Sequence, residues 1–124
     1  MEIKALVANS SNKERKNISR SLKEIGVRDV TEATDGSQAM ELLQTGTFDV
    51  IFTEANTKTS EVEELARAAR KINSKLPIIV TAPQSKKIDE LKKAYPSASN
   101  YLTVPFTTEQ LRKTVREYVP SVAV

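Results

Sequence analysis

Four short stretches carry the polar groups with which this chain can do chemistry: Asn9-Ser10, Glu54-Ala55-Asn56-Thr57, Thr81-Ala82 and Val104-Pro105-Phe106. Together they hold one carboxylate, several neutral amides and hydroxyls, and a valine. The 124 residues include no His, Cys or Trp. That excludes a thiol nucleophile, an imidazole base, a Ser-His-Asp triad, a zinc cluster and a disulfide framework built from this chain alone. Any metal site has only oxygen ligands, and a hard cation usually takes one or two protein carboxylates plus waters and phosphate oxygens. With Asn9 and Ser10 neutral, Glu54 is the one charge expected there. No catalytic residue, bound metal or cofactor is expected.

These stretches matter because of the elements that precede them. Apolar or β-branched runs recur at Ile3 to Val7, Val30 to Thr34, Phe48 to Thr53, Pro77 to Ala82 and Asn100 to Val104, each followed by a helix-length pattern. The chain therefore reads as five βα units. The runs from Phe48 and from Pro77 are nearly continuous rather than alternating, as strands covered on both faces require. Such a parallel sheet places its site at the carboxyl ends of the strands.

Helix signals agree. Ser11 with Glu14 and Thr107 with Gln110 have capping-box spacing, as does Ser60 with Glu63. Ile18, Leu22 and Ile25 share one face before Gly26 stops the first helix. The second helix is expected from about Ser37 to Gln44, with Asp35-Gly36 as a turn, Ser37 as its cap and no site role for Asp35. The fourth is expected from about Lys86 to Ala94, and Leu111, Val115 and Tyr118 face inward on the last.

With 39% hydrophobic and 28% charged residues, one domain is expected over 1–119, with 120–124 a tail or the start of a linker. No run approaches the ~20 apolar residues of a membrane span, and the start lacks a signal-peptide core, so a cytoplasmic protein without membrane contact is expected. Nineteen Lys and Arg against sixteen Asp and Glu give a net charge of +3. The basic residues are interleaved with acids and the six aromatics are dispersed, which disfavours nucleic acid as a partner.

Several stretches carry a family likeness: Lys4-Ala-Leu-Val, Ser21-Leu-Lys-Glu-Ile-Gly, Glu32-Ala-Thr-Asp-Gly, Ala39 with Leu43, Phe48-Asp-Val-Ile, Pro77-Ile-Ile-Val-Thr-Ala, Ala98-Ser-Asn-Tyr-Leu and Pro105-Phe-Thr. From about Ile3 to Val119 the chain resembles a CheY-like response-regulator receiver domain, the phospho-accepting module of two-component signalling. The resemblance implies a flavodoxin-like, doubly wound α/β fold, (βα)5, with five parallel strands in order 2-1-3-4-5. It also implies a phosphorylated aspartate after the third strand and magnesium held by an acidic pair after the first.

The departures fall on the chemistry. Asn9 and Ser10 stand where the family has its two metal-binding acids, Glu54 where it has the phospho-accepting aspartate, and Val104 where it has a lysine before Pro-Phe. Thr57-Lys58 replaces a Met-Pro, and Val62 a Gly. Thr81 matches the hydroxyl residue that senses the phosphoryl group, and Tyr101 the aromatic switch residue. The resemblance further suggests a cis peptide between Val104 and Pro105. Glu54 has three readings: an inert loop acid, a slow phosphoacceptor, or a carboxylate permanently occupying the acyl phosphate's place and reaching towards Thr81. Tyr101 has a bland reading too, filling the sheet edge with its hydroxyl in water.

The reading that joins these features is a degenerate receiver, or pseudo-receiver. It is not an enzyme, and it binds a protein partner without phosphorylation or magnesium. Asn9, Ser10, Asn56 and Val104 form the degenerate pocket around Glu54; Thr81, Tyr101, Lys92 and Arg112 mark the switch and partner face. That face, formed in the family by the fourth helix, fifth strand and fifth helix, gains a positive rim from Lys86, Lys87, Lys92, Lys93, Arg112, Lys113 and Arg116. Two alternatives stand beside it: a working phosphorelay receiver with unorthodox chemistry, and a small flavodoxin-like domain that binds a ligand or nucleic acid. Against the latter, Asn9-Ser10-Ser11-Asn12-Lys13 has no Gly of a phosphate loop.

Overall fold

The computed structural model describes residues 2–55 and 59–120. Its elements alternate strictly: β1 Lys4–Ala8, α1 Asn12–Glu24, β2 Asp29–Ala33, α2 Gly36–Thr45, β3 Val50–Glu54, α3 Thr59–Ile72, β4 Ile78–Pro83, α4 Ile88–Ala94, β5 Asn100–Val104 and α5 Thr108–Tyr118. All strand pairs are parallel, in the order β2-β1-β3-β4-β5. This is the doubly wound α/β sheet expected from the sequence. Asn56, Thr57, Lys58, the Ser60 cap and residues 121–124 lie outside what is described.

The unbroken apolar runs have the physical consequence expected of them. Along β3, Val50 and Phe52 pack with Ile18 and Leu22 of α1 and Leu111 and Val115 of α5, while Ile51 points to the opposite face with Leu43 of α2 and Leu65 and Ala69 of α3. The period of two thus feeds two cores, and neither face is left to water. A third cluster of Val62, Val80, Ala82, Leu91 and Tyr95 seats the short α4.

Local signals set the ends. Ser11 accepts the Glu14 N–H at 3.2 Å, and Thr107 with Gln110 forms a reciprocal capping box. Gly26 has a φ of 97°, and the Gly26 and Val27 N–H groups donate back to the Lys23 and Leu22 carbonyls, the left-handed C-terminal motif that favours glycine. The second helix corrects the sequence expectation. Asp35, not Ser37, is its cap: Asp35 Oδ1 accepts the Gln38 N–H at 2.8 Å, so the helix opens at Gly36. Aspartate is as good a cap as serine, and it comes first. α4 likewise begins at Ile88, after Lys86 and Lys87 have turned away from β4. Tyr118 is only half-buried, with its hydroxyl donating to the Ser99 carbonyl at 2.6 Å.

Candidate functional site

Register sets the heights of the strand-end residues. Ala8 pairs with Thr53, so Asn9 leaves β1 level with Glu54, which in turn pairs with Thr81. Asn9 is fully buried. Its Oδ1 accepts the Ser11 N–H at 2.9 Å and its Nδ2 donates to Glu14 Oε1 at 3.0 Å. Both ends of the amide are therefore spent on the turn from β1 into α1, a local side-chain bond of the kind asparagine favours.

The Glu54 carboxylate crosses to the same turn. Its Oε1 accepts the Ser10 N–H at 2.8 Å, a charge-assisted bond that satisfies a backbone donor the turn leaves open. The expectation that this side chain reaches towards Thr81 is corrected. The Thr81 hydroxyl is only 1% exposed and has no hydrogen-bond partner among the described residues.

Arg15 is the functional-edge residue that the sequence reading passes over. It lies three residues before Ile18, on the inward stripe of α1, and that spacing is the signal that could have found it. Its Nη1 donates to the Asn9 carbonyl at 3.0 Å, Nη2 to Asn12 Oδ1 at 2.6 Å, and Nε to Glu32 Oε1 at 2.9 Å. Lys16 Nζ joins the Glu32 carboxylate at 3.2 Å. Burial works to raise the pKa of Glu32, but hydrogen bonds from Lys16 and Arg15 outweigh it and hold the carboxyl below its ordinary range.

Asp35, Glu54 and Glu61 line a hollow of about 10 Å³ with Ala8 and Thr53, room for roughly one water. Glu54 is accordingly not the lone acid of this edge, since Glu14, Asp35 and Glu61 also approach it. Sequence distance hides them. Among the described residues no group of three or more acids is placed to hold a metal ion.

Val104 ends β5 level with Pro83 and is joined to Pro105 by a cis peptide. It brings no charge to the edge. Tyr101 departs from its bland reading: its hydroxyl donates to the Tyr95 carbonyl at 2.6 Å instead of facing water, and its ring packs beside Val80, Ala82 and Leu91. Burial, then the charges of Glu63 and Tyr118, push the pKa of Tyr101 up. Lys92 is exposed on α4, whereas Arg112 on α5 is half-buried and ion-paired with Glu109. The structure thus joins Asn9, Ser10 and Glu54 in one turn, sets Thr81 beside Glu54 in register without a bond, and places Tyr101 on the strand that borders α4.

A five-stranded sheet in this order, with an acid ending β3 and a hydroxyl residue beside it in β4, is the arrangement of a receiver. The response regulator receiver domain family matches residues 5–116, and the chain belongs to it, a module of two-component signalling. The chain is 26% identical to the chemotaxis protein CheY of Pseudomonas aeruginosa over 117 residues, 93% of this chain and 94% of the relative. Chemotaxis protein CheY-3 of Vibrio cholerae is 24% identical over 113 residues, covering 90% and 87%. Among solved structures, V. cholerae CheY4 superposes with a TM-score of 0.80 at 25% identity, over 95% of this chain and 99% of that one. The receiver domain of the sensor histidine kinase PA1611 of P. aeruginosa, described with a magnesium ion in its active-site cleft, gives 0.79 at 21% identity over 98% and 100%, a likeness of fold alone. Receiver domains work by interacting with protein partners. Among the described residues no helix is long and apolar enough to cross a membrane.

Proposed function

We propose that this receiver is degenerate: a cytoplasmic protein-interaction module that works without phosphorylation and without magnesium. One observation carries the reading. The carboxylate at the acceptor position is already bonded through Glu54 Oε1 to the Ser10 N–H, in a turn whose Asn9 amide is bonded at both ends.

The residues present do not fit a magnesium ion. Asn9 and Ser10 are uncharged, Asn9 Oδ1 and Glu54 Oε1 are turned towards backbone N–H groups of the β1–α1 turn, and among the described residues no group of three or more acids is placed to hold the ion. Phosphoryl transfer rests almost wholly on positioning and on cations that neutralise developing charge. Val104 supplies no cation. Glutamate also carries its carboxyl about one carbon–carbon bond, roughly 1.5 Å, further from the backbone than aspartate, where ~1 Å of misplacement costs about a hundredfold in rate.

Output on this reading runs through the face of α4, β5 and α5. Tyr101 lies on it, held inward by Tyr95, and Lys86, Lys87, Lys92 and Lys93 are exposed along its α4 side. Such a rim speeds encounter with an acidic partner more than it adds affinity.

The test is a titration with magnesium and beryllofluoride followed residue by residue by NMR, alongside intact-mass measurement after incubation with a small phosphodonor. No saturation below millimolar magnesium and no added phosphoryl are expected. Micromolar magnesium binding at Glu54, or a stable phosphoryl mapped to it, would support the working-receiver alternative instead.

A further inference from the structure

Glu63, Ala66, Arg67 and Arg70 have the spacing i, i+3, i+4 and i+7, which sets them on one face of α3. The loop before β5 comes up against that face. The Ser97 hydroxyl and the Ser97 N–H, the latter at 3.4 Å, both donate to the Glu63 carboxylate, and Arg70 Nη2 donates to Ser99 Oγ at 3.1 Å. Between helix and loop lies an open hollow of about 130 Å³ lined by Glu63, Ala66, Arg67, Arg70 and Ser97.

The charges of this hollow do not pair. Glu63 stands four residues before Arg67, the order in which an acid and a base on a helix pair best, yet its carboxylate is turned to Ser97. Among the described residues Arg67 has no hydrogen bond or ion pair, and Arg70 bonds a neutral hydroxyl and no carboxylate. The helix dipole accounts for Arg70 and Lys71 in the last turn of α3, but not for Arg67 a turn earlier. Two guanidiniums against one carboxylate leave the hollow with an excess positive charge.

We infer that the hollow is a recognition site for a carboxylate side chain, an aspartate or glutamate presented by a partner protein. A guanidinium is planar, keeps its charge, and offers paired N–H donors that match a carboxylate; two of them on one face flank a single such group. The charge balance selects the anion. A carboxylate brings the hollow to neutrality, whereas a phosphoryl group with nearly two charges overshoots it and meets Glu63. The volume is well below the roughly 300–1,000 Å³ of sites for drug-sized ligands, so a side chain fits and a nucleotide does not. A chain terminus is captured by free backbone N–H groups. Here every lining residue but Ser97 lies in the body of α3, where those groups are bonded within the helix, and the Ser97 N–H is taken by Glu63. None of the lining residues belongs to α4, β5 or α5, so the site is separate from the proposed output face and does not rest on the reading of Glu54.

The full chain, labelled with nitrogen-15, is titrated by NMR at low salt with the peptide Gly-Ser-Glu-Ser-Gly blocked at both ends. Parallel titrations use the same peptide with glutamine or phosphoserine in place of glutamate, and a peptide without glutamate whose carboxyl terminus is free. Saturable shifts of the Arg67 and Arg70 Nε–H signals and the Ser97 amide are expected at about millimolar peptide, the scale of two charge-assisted contacts. The glutamine and free-terminus peptides should bind at least about fivefold more weakly. Arg67→Gln, at an exposed position, is expected to weaken binding about tenfold, and Arg70→Lys, which keeps the charge and loses the fork, about threefold. Glu63→Gln removes the opposing charge and is expected to turn the preference to the phosphoserine peptide by about threefold. Tighter binding of phosphoserine than of glutamate by the parent, equal binding of the glutamine or free-terminus peptide, unchanged affinity in Arg67→Gln, or no saturation would each overturn the inference.

Discussion

Glu54 accepts the backbone N–H of Ser10 at 2.8 Å, joining positions 44 residues apart. The bond ties the end of β3 to the turn after β1, so the acceptor-position acid acts first as a clasp between two strand ends. A hydrogen bond to a charged group contributes about 1.5–3 kcal/mol. Glu54 therefore stabilises the site edge in the conformation seen here.

Glu54→Gln keeps an acceptor and loses the charge, and is expected to cost about 1 kcal/mol in urea unfolding with the fold intact. Glu54→Ala removes the acceptor, so the loss should approach the larger range and the Ser10 amide should exchange faster with solvent. Unchanged protection of that amide in Glu54→Ala would show that the clasp does not hold in solution.

The same bond explains what could and could not be read from the sequence. Strands β3 and β4 were legible because burial on both faces leaves long apolar runs, and Ser11 and Thr107 because a cap is decided within four residues. The direction of Glu54 was not legible, since it depends on an amide that only the β1–β3 register brings near. The Tyr101 hydroxyl was likewise unreadable, because its partner is a carbonyl at the end of α4. Arg15 stood between these cases: its spacing from Ile18 marked it as inward-facing, while its acceptors came from the turn after β1, from α1 and from β2.

Acid stability should report the Arg15–Glu32–Lys16 cluster. A carboxyl whose pKa is lowered by folding stabilises the protein above its unfolded pKa, and that contribution is lost as pH falls through the folded value. Glu32→Gln is expected to destabilise by about 1–2 kcal/mol near neutrality, partly because it leaves the buried Arg15 cation less well paired. The gap from the parent should narrow below pH 4.5, the ordinary value for this group. Parallel urea titrations across pH check this, and a gap that stays constant through that window would remove Glu32 as its source.

Asn9 and Glu14 should be coupled. Asn9 Nδ2 donates to Glu14 Oε1 at 3.0 Å, so Asn9→Asp sets two carboxylates against each other in place of a hydrogen bond. In chelator, Asn9→Asp is expected to cost about 1–2 kcal/mol in the parent and distinctly less in a Glu14→Gln background, which again offers a donor. The double-mutant cycle is read from chemical unfolding. Additive losses would mean that Glu14 does not decide which residue position 9 tolerates.

Partner binding through α4, β5 and α5 should depend on the ring of Tyr101 more than on the charges around it. Its hydroxyl is tied to Tyr95 at 2.6 Å and its ring packs against the cluster that seats α4. Tyr101→Ala therefore removes both the aromatic surface and a support of the helix, whereas Tyr101→Phe removes only the hydrogen bond. Aromatic anchors often carry about 2 kcal/mol or more at interfaces, so Tyr101→Ala should reduce recovery of the native partner by at least about tenfold. Tyr101→Phe should fall between it and the parent. Lys92→Glu, on an exposed position, and Arg112→Glu, which also sets two acids together at Glu109, should each weaken binding a few-fold, chiefly through slower association. Glu54→Gln lies on the site edge and should matter less. Affinity capture from native cell extract, quantified for the same partner across these variants with fold checked by NMR, decides the matter, and equal recovery by all of them would remove this face from consideration.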